Sequence, residues 1–177
     1  MRNTRLVLLW AGMMGAALLA GCGDAVKLRF NHEERYGKVY YLDGIGCVGF
    51  GREQVPAGFR SAGFEGDVEY WSWSATGTPL DQFGGPFVRA RAGDLTKMIV
   101  MYRQTYPGRP ISLVGLSAGT GVAVFACEQL PEGVDVDEVV LVASSLSEQY
   151  NLSRALRHIR GSITSYQTHG DLALGVL

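Results

Sequence analysis

The segment that most constrains the fold is ISLVGLSAGTGVAVFA, in which one apolar run leads through a single serine into another. The run 111–116 predicts a buried strand, and 118–130 predicts a helix. Because nothing but Ser117 separates them, the chain must reverse there, which predicts a strained backbone. Side chains at Gly115 and Gly119 would collide across such a turn, which explains a glycine at both positions.

The rest of the chain alternates strand patterns with helix patterns. Strands are predicted at 38–43, 67–73, 137–144 and 161–167, with a short edge segment at 25–31, and helices at 53–62, 87–106 and 152–159. Alternating elements with nearly continuous apolar runs in the middle strands predict an α/β fold, a three-layer sandwich around a mostly parallel sheet. Functional residues in such folds lie at the carboxyl edge of the sheet.

The N-terminus is typical of an exported protein. Two arginines precede the apolar run 6–20, which is too short to span a membrane, and the tetrapeptide LAGC follows, ending at Cys22. LAGC resembles a bacterial lipobox, in which the cysteine carries lipid and becomes the first residue of the mature protein. We therefore expect a lipoprotein signal peptide over 1–21, a mature domain over 22–177, and attachment to a membrane outside the cytoplasm. An ordinary signal peptide or an uncleaved anchor is the alternative.

Composition and charge argue against several classes of function. The chain is 47% hydrophobic and 19% charged, which predicts a packed core. Its 16 basic and 17 acidic residues form no basic patch of the kind that binds nucleic acid. No histidine or cysteine pair has metal-ligand spacing, so neither a metal nor a cofactor is expected. Cys47 and Cys127 suit either a disulfide in an exported protein or two buried free thiols. Nothing in the sequence indicates an oligomeric state.

Residues 115–119, Gly-Leu-Ser-Ala-Gly, fit the pattern G-x-S-x-G between a predicted strand and a predicted helix. This arrangement resembles the nucleophile elbow of the α/β-hydrolase superfamily, and the resemblance extends from about Lys38 to the end of the chain. It implies that the strands from 38–43 to 161–167 are the third to seventh of that fold. It also implies that Ser117 is the nucleophile of a serine esterase- or lipase-like hydrolase, which cleaves a carboxylic ester or related acyl bond through an acyl-enzyme.

The same resemblance implies further site residues. One oxyanion-hole amide follows the nucleophile and belongs to Ala118. The other comes from the loop after the third strand and is assigned to Ile45, while Asp43 stands where the family often has a histidine. The catalytic acid follows the seventh strand and is assigned to Asp171.

The catalytic histidine of the family follows the acid, yet residues 172–177 contain none. His32 precedes the sheet and is expected at the surface, and His158 is expected on an exposed helix face. His169 lies two residues before Asp171, too close for that carboxylate also to orient it. We therefore expect residues 1–177 to lack the eighth strand, the last helix and the base of this fold, and to turn over little ester on their own.

Two other functions fit parts of the sequence. GIGCVG, residues 44–49, matches the dinucleotide-binding pattern G-x-G-x-x-G between a strand and a helix, although the next strand ends in tryptophan rather than in a ribose-binding acid. A non-catalytic surface lipoprotein on the same scaffold is the second. Trp71, Trp73, Phe83 and Phe87 suit either an acyl pocket or ordinary core packing.

Overall fold

The computed structural model of the chain describes residues 32–47, 49, 51–74 and 85–167. The chain divides into two compact units, residues 1–34 and residues 35–177. Of the first unit, the structure describes the start of a 3₁₀ turn, His32–Tyr36; the predicted signal peptide, Cys22 and the segment 25–31 lie outside the described residues. Among the helices that are described, none combines the length and the apolar character needed to cross a membrane.

The second unit is built on a parallel sheet. Its described strands are β1 Lys38–Leu42, β2 Asp67–Tyr70, β3 Ile111–Leu116, β4 Glu138–Val142 and β5 Ile163–Tyr166, in the order β2-β1-β3-β4-β5. Every neighbouring pair is parallel. The predicted α/β fold with a mostly parallel sheet is therefore confirmed.

The helices cover both faces of this sheet. They are α1 Gly51–Ser61, α2 Gly85–Thr105, α3 Ala118–Glu128 and α4 Ser153–Leu156. The connection from β1 to β2 moves toward one edge of the sheet, whereas the later connections move toward the other edge. Because crossovers between parallel strands are right-handed, α1 lies on one face and the other three helices lie on the opposite face. The sandwich has three layers, and α3 packs against the sheet, α2 and α4. This position explains why α3 is apolar on nearly every side.

Several predicted elements are shorter in the structure, and for two of them the structure shows the reason. The strand predicted at 67–73 ends at Tyr70, because the indole N–H of Trp73 turns inward and donates to the Asp43 carbonyl at 2.8 Å. The helix predicted at 152–159 is a single turn, because the following residues run beside the chain entering β4. The amide of Val136 donates to the carbonyl of His158, and the amide of Arg160 donates to the carbonyl of Val136.

At one point in the strand order, the connections that follow two neighbouring strands pass to opposite faces of the sheet. That point lies between β1 and β3, the two central strands from which the chain departs toward opposite faces. Ligands of open α/β sheets bind in the crevice at the carboxyl ends of such strands. Ser117 directly follows β3, and Asp43 directly follows β1.

Candidate active site

Ser117 forms the turn between β3 and α3. Its backbone has φ 48° and ψ −117°, a conformation that residues other than glycine rarely adopt. Its amide donates to the carbonyl of Val142 in β4 at 2.9 Å, which ties the turn to the neighbouring strand. The strained backbone predicted at this position is confirmed.

The two glycines of the motif are required by different neighbours. A Cβ on Gly115 would lie 2.7 Å from the Cα of Thr120, in the first turn of α3. A Cβ on Gly119 would lie 2.3 Å from the carbonyl oxygen of Leu42, in β1. The predicted collision across the turn is therefore confirmed for Gly115. Gly119, in contrast, is glycine because the helix meets the end of another strand, β1.

Hydroxyl groups hold the turn from the side of β4. The carbonyl of Ser117 accepts hydrogen bonds from the amide of Thr120 at 3.0 Å, from the hydroxyl of Thr120 at 2.5 Å and from the hydroxyl of Ser145 at 3.2 Å. The Ser144 hydroxyl donates to the Thr120 hydroxyl at 3.3 Å. Sequence reasoning missed these residues; the available signal is the serine pair at the end of an apolar strand.

The side chain of Ser117 is available for chemistry. It stands at the N-cap position of α3 but makes no capping hydrogen bond, and the residue is partly exposed. Ala118 is the first residue of the helix, so its amide has no acceptor within the helix. The aligned peptide dipoles of α3 favour negative charge at this end. A hydroxyl and a helix N-terminus therefore meet at the carboxyl edge of the sheet.

The loop after β1 lies against the same turn. A Cβ on Gly44 would be 3.5 Å from the Cβ of Ser117. Ile45 follows and begins the 3₁₀ turn Ile45–Cys47, whose hydrogen bond runs from the Cys47 amide to the Gly44 carbonyl at 3.1 Å. This bond leaves the Ile45 amide outside the turn's own pairing. The structure thus brings both predicted oxyanion residues, Ile45 and Ala118, to the edge where Ser117 lies.

A buried carboxylate fixes the start of this loop. Oδ1 of Asp43 accepts from the Gly44 amide at 2.8 Å and from the Tyr41 hydroxyl at 3.1 Å, while Oδ2 is buried without a partner among the described residues. Burial first, and then the Asp43 charge, raise the pKa of Tyr41 well above its usual value. The hydroxyl therefore stays protonated and keeps donating, which orients the peptide between Asp43 and Gly44.

The loop is also tied to β2. The Tyr70 hydroxyl donates to the Cys47 carbonyl at 2.8 Å. In a dinucleotide site an acidic residue at the end of this strand would hold the ribose, whereas here a tyrosine stands at the strand end and bonds to the loop itself. This geometry argues against a dinucleotide-binding loop.

No family model matches the chain, and no curated protein matches it. Among solved structures, it is similar to a cutinase of Trichoderma reesei in complex with a phosphonate inhibitor, with a TM-score of 0.53 and 13% sequence identity. The match covers 78% of this chain and 63% of that chain. The fold is that of the α/β-hydrolases. The chain spans about 63% of the length of the cutinase it matches, and the likeness shows the fold alone.

Within this α/β-hydrolase fold, His158 lies at the wrong edge of the sheet to serve Ser117. Its Nδ1 is 3.0 Å from the carbonyl oxygen of Val134, and its backbone pairs with Val136, just before β4 begins. Ser117 lies beyond the other end of the strands. The predicted exposure of His158 is wrong, since its side chain is only 14% exposed. His169, Asp171 and the side chain of His32 lie outside the described part of the chain.

Both described cysteines are free thiols. Cys127 is buried in α3, and burial raises the pKa of its thiol to about 12. Cys47 is partly exposed in the loop after β1 and has a positive φ of 53°. Of the two possibilities left open by the sequence, the structure favours free thiols, although only Cys127 is buried.

Proposed function

We propose that this protein is a serine hydrolase that cleaves a carboxylic ester or related acyl bond, and that a lipid on Cys22 holds it at a membrane outside the cytoplasm. The observation that supports it is the backbone of Ser117, at φ 48° and ψ −117°, beside the amides of Ala118 and Ile45. Such a conformation costs about 1–3 kcal/mol in a residue other than glycine. A serine that served only for packing would gain nothing from this cost.

In the proposed reaction, Oγ of Ser117 attacks the carbonyl carbon of the ester, and a histidine accepts its proton. The amides of Ile45 and Ala118 donate to the oxyanion of the tetrahedral intermediate. One such donor contributes about 3 kcal/mol of transition-state stabilisation. The intermediate expels the alcohol, protonated by the same histidine, and water then hydrolyses the acyl-enzyme.

The histidine of this scheme is oriented by Asp171 and is not His158, whose ring bonds to the Val134 carbonyl at the opposite edge of the sheet. We propose that it lies outside the described residues.

A fluorophosphonate probe tests the enzyme proposal on the full-length gene product. We expect covalent labelling that Ser117→Ala abolishes. Ser61→Ala is the matched control, because the Ser61 hydroxyl bonds to the Gly58 carbonyl at the exposed end of α1, and it should label like the wild type. A full-length protein that never labels, or one that labels equally after Ser117→Ala, would leave the non-catalytic surface lipoprotein as the better account.

The lipid anchor is tested separately in bacteria fed a labelled fatty acid. We expect incorporation into the protein and recovery in the membrane fraction, both lost in Cys22→Ala. An unlabelled, released protein in the wild type would contradict the anchor while leaving the hydrolase proposal intact.

A further inference from the structure

A cavity of about 240 Å³ opens beside the first residue of α3. Its walls come from the segment after β2, the first turns of α2, one face of α3 and the loop after β4. Most of the side chains are apolar, and the main lining residues are Trp73, Val88, Ala118, Gly121, Phe125 and Leu146. No part of the proposed reaction described above uses this space.

The cavity reaches Ala118, the residue that follows Ser117. Ala118, Gly121 and Phe125 are spaced three and four residues apart, so they form a single stripe along α3 that begins at the residue after Ser117. Ser145 also lines the cavity, and its hydroxyl donates to the Ser117 carbonyl at 3.2 Å. A group that occupied the cavity would therefore begin next to the amide proposed to hold the oxyanion.

The walls favour an uncharged, apolar occupant. The indole N–H of Trp73 is already donated to the Asp43 carbonyl, so the ring has no free donor. The guanidinium of Arg89 lies 4.1 Å from the centre of the Phe125 ring and pairs with Glu128 at 3.1 Å. Neither residue of this ion pair lines the cavity.

We propose, resting on the hydrolase function proposed above, that this cavity binds the acyl chain of a medium-chain ester and that Gly121 sets the length of chain it accepts. An apolar cavity of about 150 Å³ holds a benzene ring of six carbons. At the same density, 240 Å³ has room for roughly nine carbons. An octanoyl chain is therefore the preferred length, and acetyl leaves most of the apolar wall in contact with water.

Gly121 and Leu146 allow the cavity to be changed in opposite directions. A Cβ on Gly121 would lie 3.8 Å from Cε2 of Phe125 and 3.9 Å from Cδ2 of Leu146, which is ordinary van der Waals contact. Gly121→Ala therefore adds a methyl group to the cavity without displacing its walls. Leu146 is half-buried, so Leu146→Ala enlarges the cavity with limited loss of packing.

The test measures kcat/KM of the full-length gene product on p-nitrophenyl acetate, octanoate and dodecanoate. Gly121→Ala should lower the octanoate-to-acetate ratio by about tenfold, the usual effect of a small volume change in an apolar specificity pocket. Leu146→Ala should raise the dodecanoate-to-octanoate ratio. Gly58→Ala is the control, since Gly58 is also in a helix and a Cβ there meets nothing within 4 Å; its ratios should equal those of the wild type.

The outcomes separate the two proposals. Hydrolysis with ratios that move in neither variant overturns the acyl-chain assignment and leaves the hydrolase. If no ester is hydrolysed, the hydrolase proposal fails, and calorimetric titration with sodium octanoate decides the cavity. If octanoate binds, and Gly121→Ala weakens this binding about tenfold while Gly58→Ala leaves it unchanged, the cavity is retained as an alkyl-chain site. Absence of binding at millimolar octanoate would overturn the assignment of the cavity.

Discussion

A Cβ on Gly119 would lie 2.3 Å from the carbonyl oxygen of Leu42, although the two residues belong to elements far apart in the sequence. The first turn of α3 is thus pressed directly against the carboxyl end of β1. This contact holds the turn at Ser117 beside the loop that starts at Asp43, and it leaves no room for a side chain at Gly119.

Gly119→Ala should therefore destabilise the protein by about 2 kcal/mol or more, because the added methyl group must push backbone away from backbone. Urea unfolding measures the change. Gly121→Ala, in the same helix, is the matched comparison: its methyl group fits, and replacing a helical glycine with alanine stabilises by up to about 1 kcal/mol. Equal unfolding midpoints for the two variants would contradict the contact with β1.

The strain at Ser117 predicts a difference between two inactive variants. Alanine keeps the cost of the positive φ of 48°, whereas glycine removes most of it. Glycine in turn destabilises the folded state by roughly 0.5–1 kcal/mol, because it has more conformational freedom to lose in the unfolded chain. Ser117→Gly should therefore be about 1 kcal/mol more stable than Ser117→Ala in urea unfolding, while both lose fluorophosphonate labelling. Finding the alanine variant the more stable would show that the turn carries no strain.

The part of the fold that the sequence predicts well is the part fixed by neighbours along the chain. β3, the turn at Ser117 and the start of α3 lie within one continuous segment, and their bounds agree with the prediction. The predicted end of β2 is wrong, because Trp73 leaves the strand to bond the Asp43 carbonyl, thirty residues earlier in the chain.

The candidate site shows the same contrast between residues that are neighbours along the chain and residues that meet only in the fold. Ser117 follows from its local pattern, but the hydrogen-bond network around it joins Thr120 in α3 to Ser145 in the loop after β4. Four aromatic residues are predicted as pocket candidates. Trp73 lines the cavity next to α3, Trp71 packs edge-on against Tyr40 in the core, Phe87 is half-buried in the first turn of α2 and does not line that cavity, and Phe83 lies outside the described residues. Which aromatic faces a cavity depends on how three elements pack, and no single segment encodes it.

The two free thiols should differ in reactivity. Cys127 is fully buried and burial raises its pKa to about 12, so at about pH 8 it has neither access to reagent nor thiolate character. Iodoacetamide on the native protein should modify the peptide that contains Cys47 and spare the one that contains Cys127, and denaturant should expose both. Modification of both peptides at the same rate in the native state, or a disulfide joining them, would contradict the structure.

Alkaline pH tests the hydrogen bond between Tyr41 and Asp43. The pKa of Tyr41 in the folded protein is raised above the value of about 10 that it has in an unfolded chain, first by burial and then by the carboxylate. The unfolded chain therefore loses its phenol proton first, so the contribution of Tyr41 to the free energy of unfolding should be constant below pH 10 and fall as the pH rises beyond it.

Tyr41→Phe removes this ionisation together with one hydrogen bond to Asp43. At about pH 8 the variant should be less stable than the wild type by about 1 kcal/mol, the usual net worth of such a bond. Above pH 10 its stability should fall less steeply, so that the two curves of urea-unfolding free energy against pH converge. Parallel curves above pH 10 would show that Tyr41 ionises as easily in the folded protein as in the unfolded chain. The loop after β1 would then lack the protonated donor that orients its first peptide.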